Sequence, residues 1–145
     1  MINNKKRIVF SLFALIFAAN IMSAQITQKE AESTIEKFFS LCKKGDFHNS
    51  AGLLVYSGQD KTRSYKDFFN PNNPDEFKEV KRICKKVNAT LLISDSYNFG
   101  KLRTVKFYDK TVQSLDVFFK SGKQKMRKRI LLAKVKDKTG ILSYN

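Results

Sequence analysis

From Asn88 to the C-terminus the chain reads as short strand-like segments with almost nothing between them, and this constrains the fold most. The segments cover 89–97, 102–109, 111–120, 125–136 and 140–144, and β-branched and aromatic residues dominate them. The breaks are turn-like: Phe99-Gly100-Lys101, Asp109-Lys110, Ser121-Gly122-Lys123 and Asp137-Lys138-Thr139-Gly140. A parallel crossover needs roughly a dozen or more residues. Links this short therefore predict antiparallel pairing. Alternation is clearest in Leu115, Val117, Phe119 and in Leu131, Ala133, Val135.

Ahead of these segments the apolar spacing is helical. Thr27-Gln28-Lys29-Glu30 is a capping box, in which the Thr hydroxyl accepts from the Glu30 N–H and the Glu carboxylate reaches back. Ala31, Ile35, Phe38, Phe39 and Cys42 then fall on one face, and Gly45 ends the helix, giving 28–44. Asp46 caps a second helix on which Phe47, Ala51, Leu54 and Val55 keep the spacing. Residues 58–64 read as loop, and Tyr65, Phe68 and Phe69 as an aromatic turn. Asn73-Pro74-Asp75-Glu76 opens a third helix at 75–87, with Phe77, Val80, Cys84 and Val87 on its buried face. Helices first and a strand meander last imply an α+β domain, its helices packed on one face of a curved antiparallel sheet of four to five strands.

The first 24 residues have a different character. Lys5, Lys6 and Arg7 precede an uncharged apolar run from Ile8 to Ala19, and Ser23-Ala24 are small. This is the order of a cleavable signal peptide, and the run is short for a membrane span of about 20 residues. The expectation is export to the periplasm or beyond the cell, a single domain at 25–145, and no transmembrane helix after cleavage. Lys5, Lys6 and Arg7 are the segment's only charges. What remains has 25 Lys+Arg against 13 Asp+Glu, a net charge of +12. Such a charge suits an anionic partner, although it also serves plain solubility.

The order of elements resembles the nuclear transport factor 2-like superfamily, the cystatin-like α+β cone. In that fold a helical hairpin and a third helix cover the concave side of a bent antiparallel sheet. The resemblance rests on Ala31 to Phe47, a helix with paired Phe followed by Lys-Lys-Gly-Asp-Phe. It rests also on the ending Leu131 to Tyr144, similar to the last hairpin of small secreted bacterial members, with Ile141-Leu142 where those carry a Trp. The resemblance covers nearly all of 27–144 and implies the fold; it brings no catalytic signature.

Chemistry is sparse. Enzymes with this cone place acids, His or Tyr inside it, so Asp95, Tyr97, Tyr108 and Asp116 are the candidate pocket residues. His48 is the only histidine, so no His cluster forms, and one His with two Cys gives no metal site. There is no glycine-rich phosphate loop, and no cofactor is implied. Cys42 and Cys84 are either a disulfide, permitted by export, or two buried thiols. Lys120, Lys123, Lys125, Arg127, Lys128 and Arg129 crowd one hairpin, with Lys125, Arg127 and Arg129 on one strand face; the set suits an anionic lipid or glycan, or simply a solvated hairpin. Nucleic acid is disfavoured, since no stacking motif is present. The leading expectation is a non-enzymatic envelope protein that binds a small apolar ligand or a protein partner in or around the cone. The alternatives are a small isomerase- or dehydratase-like enzyme with an Asp/Tyr pocket, and a basic domain docking on anionic lipid or glycan.

Overall fold

The computed structural model describes residues 25–145. The segment read as a signal peptide lies outside the described residues.

Three helices precede five strands: α1 (Gln28–Lys44), α2 (Phe47–Ala51), α3 (Pro74–Leu92), then β1 (Ser96–Phe99), β2 (Arg103–Phe107), β3 (Lys110–Ser121), β4 (Gln124–Val135) and β5 (Lys138–Tyr144). The domain is α+β, with helices packed against a curled antiparallel sheet. α1 starts and stops where its signals stand. Glu30 N–H donates to Thr27 Oγ1 at 3.1 Å, and Gly45 closes the helix in the left-handed conformation. The Glu30 carboxylate turns mainly toward Lys134 and Thr139, which ties α1 to β4 and β5.

β3 is the spine of the sheet. β4 pairs along one side of it and β5 pairs with β4. On its other side β1 and β2 both pair with β3, β1 opposite Val117–Lys120 and β2 opposite Lys110–Ser114. They are thus two collinear halves of one edge, and the Phe99-Gly100-Lys101 break is an interruption in that edge. The Gln28 side chain fills the gap: its Nε2 donates to the Gly100 carbonyl and its Oε1 accepts from the Leu102 N–H.

The core lies between α1, α3 and one sheet face. Ile35, Phe38, Phe39, Val80 and Val87 meet Leu115, Val117, Phe119, Ile130 and Leu132, all nearly sealed from solvent. Successive strand residues point to opposite faces. Leu131, Ala133 and Val135 therefore belong to the face away from the helices, where Leu131, Val135 and Val112 are nonetheless buried.

Three sequence boundaries move. The first four residues of the expected strand 89–97 are helix, because α3 continues to Leu92, and β1 spans only Ser96–Phe99. The aliphatic run Ala89-Thr90-Leu91-Leu92 reads equally as strand or helix; packing selects helix, with Thr90 continuing the buried stripe. Leu54 and Val55 are not helical, since α2 stops at Ala51 and Gly52 caps it. The chain then runs beside β5, with Val55 N–H donating to the Ile141 carbonyl at 2.8 Å and Ile141 N–H to that of Leu53 at 2.8 Å. The last turn falls at Lys136-Asp137, both at positive φ, so Gly140 lies inside β5.

Candidate functional site

The helix-free face of the sheet gathers positive charge around one acid. On β3 the residues pointing this way are Val112, Ser114, Asp116, Phe118 and Lys120, alternating with the core set Leu115, Val117 and Phe119. Cross-strand pairing aligns Asp116 with Arg129, Phe118 with Arg127, and Lys120 with Lys125 on β4; β2 adds Arg103 opposite Ser114. Lys125, Arg127 and Arg129 do share a face.

Asp116 is only 4% exposed. Arg103 Nη2 donates to its Oδ2 at 2.8 Å, Arg129 Nε donates to its Oδ1 at 3.2 Å, and Arg127 Nη1 stands 4.0 Å from Oδ2. The three arginine side chains are themselves about half exposed. One carboxylate thus gathers three guanidiniums that remain about half exposed. Lys120 and Lys125 stand directly opposite each other, an arrangement that is repulsive on its own. Phe118, 41% exposed, sits between the arginine group and this lysine pair. Five cations thus stand against one acid around an exposed aromatic ring, and the face is strongly positive. Guanidiniums are matched to phosphate and carboxylate oxygens because two N–H donors can engage two oxygens at once.

The rest of the hairpin set divides. Lys128 points to the helix side, its ammonium 5.7 Å from the Tyr144 ring centre, and Lys123 lies in the Gly122-Lys123 turn. Sequence reasoning missed Arg103, which lies outside the hairpin and 13 residues before Asp116; only the β2–β3 register brings the two together.

The four candidate pocket residues do not converge. Asp95 is exposed and accepts from the Gly122 N–H at 2.7 Å, clamping the β3–β4 turn. Tyr97 packs edge-on against Phe39 at 5.4 Å on the helix side, and burial, with Glu36 a lesser influence, pushes its hydroxyl above the usual range. Tyr108 is 82% exposed at the β2–β3 turn. Tyr97 pairs at Phe119 and Tyr108 lies beyond Lys110, so the two are roughly 30 Å apart at about 3.3 Å per residue. Asp116 faces away from the helices. Phe38, Phe39 and Phe119, almost fully buried, pack the centre of the space between helices and sheet. A cleft of about 350 Å³ opens elsewhere, at the β2–β3 end, lined by Tyr65, Phe107, Lys110, Val112, Ala133 and Leu142 among others.

His48 is an exposed residue of α2. Among the described residues no group of three or more His, Cys, Asp and Glu could hold a metal ion, and no helix is long and apolar enough to cross a membrane. No protein-family model, curated protein or solved structure matches the chain.

Proposed function

We propose that this is an exported, non-enzymatic domain of the nuclear transport factor 2-like cone type that docks on anionic lipid surfaces through the helix-free face of its sheet. The observation that carries the reading is the group of Arg103, Arg127 and Arg129 on Asp116, continued by the facing pair Lys120 and Lys125. An acid buried beneath three half-exposed guanidiniums fixes their direction but leaves most of their charge uncompensated. Phosphate head groups supply that compensation, and Phe118 gives the patch an apolar element suited to the head-group boundary. The packed centre of the cone supports this docking reading over a ligand or a reaction inside it. The signal-like first 24 residues support the envelope as its location.

The test is co-sedimentation of the protein with vesicles. Phosphatidylglycerol-containing vesicles are expected to pellet it at low salt, with binding falling steeply as salt rises, and pure phosphatidylcholine vesicles are expected not to. Each basic residue near an anionic surface contributes about 1 kcal/mol, so Lys125→Ser, Arg127→Ser and Arg129→Ser together should weaken binding by about two orders of magnitude. The reading fails if the wild-type protein ignores anionic vesicles or if the triple variant binds equally well. Binding to an anionic glycan but not to vesicles would keep the surface and overturn the lipid.

A further inference from the structure

We infer that Cys42 and Cys84 form a native disulfide that locks α1 to α3. The two residues come from the apolar stripes of separate helices, 42 positions apart, and meet in the centre of the core. Their Sγ atoms are 2.7 Å apart, closer than non-bonded sulfur atoms settle, and their exposures are 2% and 0%. Nothing around them suits a catalytic thiol: the only histidine is on the surface of α2, and the pair lacks the short spacing of redox-active dithiols. Nor, among the described residues, is there a third ligand for a metal. The contact between two sulfurs is what remains, and its chemistry is a cross-link.

The bond forms by thiol–disulfide exchange with a disulfide-bearing oxidant, either a small-molecule disulfide or an oxidoreductase. One cysteine thiolate attacks a sulfur of the donor and expels a thiolate, giving a mixed disulfide. The second cysteine thiolate attacks the sulfur of the first and releases the other half of the donor. Two thiols are oxidised to one disulfide, the donor is reduced to two thiols, and the two protons lost from the cysteines end on the donor sulfurs. In the folded chain this route is closed. Both thiols are buried in the core, and a solvent-borne disulfide does not reach the pair. Exchange therefore precedes the docking of α1 on α3, and the finished bond is shielded from reductants. The closed loop contains α2 and residues 52–73, the stretch with least regular structure, so the link restrains the part of the chain that needs it most.

The decisive measurement is a peptide mass map without reduction. The denatured chain is refolded in a glutathione redox buffer, quenched in acid, alkylated under denaturing conditions and digested. The expected product is a Cys42–Cys84 linked peptide with neither residue alkylated. Full alkylation of both residues, or links only between chains, overturns the inference. Oxidised protein is expected to melt on the order of 10 °C above the reduced form. The Cys42→Ala, Cys84→Ala double variant should melt with the reduced form and ignore reductant. If that variant does not fold, the peptide map of the wild-type chain still decides. Because the refolding is done in the tube, its outcome is independent of vesicle binding and of export.

Discussion

Asp116 does two opposing things at once. Its carboxylate satisfies Arg103 and Arg129 directly, and it lowers the positive potential of the face that they belong to. The two effects separate in Asp116→Asn, which keeps shape and removes charge. Lost charge-assisted hydrogen bonds to half-exposed partners are expected to cost about 1–2 kcal/mol in urea unfolding. The same change leaves the face more positive, so anionic vesicles should bind the variant at least as tightly as the wild type. A variant that is less stable and also binds less would mean that Asp116 acts mainly by aiming the guanidiniums. Little of this was legible in the sequence. A single Asp between Leu115 and Val117 reads as a residue of the opposite face, but its partners are set by register, and Arg103 lies outside the hairpin.

Among the elements, α1 was legible because all its signals agree: cap, stripe and terminal glycine point to the same seventeen residues. α3 has an equally clear start, with Asn73 Oδ1 accepting from the N–H groups of Asp75 and Glu76, but no comparable stop before Ser94. Its last turn was therefore misread as strand. β5 shows the opposite case. Thr139-Gly140 looks like a turn, yet Gly140 is in mid-strand because a neighbour needs the space. A Cβ there would stand 2.6 Å from Val55 Cγ2 and 2.7 Å from Phe68 Cε1. The segment after α2 can cross β5 only over a residue without a side chain. Gly140→Ala is expected to cost about 1–3 kcal/mol through overpacking, read as a lower denaturation midpoint. A wild-type midpoint would mean that the 53–69 segment yields freely.

At the scale of the whole molecule, a few carboxylates fasten distant parts together. Glu30 joins α1 to the last hairpin, and the side chains of Lys134 and then Thr139 hold its acid below the usual range. Asp67, in the loop, accepts from Lys136 at the β4–β5 turn. That bond, together with the Phe68 N–H and Arg63, lowers its acid to about 2 from 3.8. Burial works against the charge of Glu76, but Arg63 and the Asn70 N–H outweigh it and hold the acid low, fastening the loop to α3. A carboxyl depressed in the folded state stabilises above its unfolded value, and the contribution is lost as pH falls through the folded value. Stability should therefore be level above about pH 5 and fall between about pH 4.5 and 2, with growing positive self-repulsion adding to the loss. Urea midpoints across this range test it, and Asp67→Asn should flatten the most acidic part of the decline. An unchanged midpoint down to about pH 2.5 would contradict the assignment.

The sequence by itself determined the class of this fold, because periodicity, caps and short links are local properties. A stripe at helical spacing, an asparagine before a proline and a two-residue break between strands each act over a few positions. It also showed that a strand face of the 120–129 hairpin is basic, since alternation along one strand is enough for that. The tertiary structure decided what depends on residues far apart in the chain. It set β1 and β2 end to end on one edge of β3, gathered Arg103 with Arg127 and Arg129 on Asp116, and packed the centre of the space under the helices with phenylalanine. It brought Cys42 against Cys84 as well. Register and packing are sums over many weak contacts across the whole chain, and no short stretch of sequence contains them.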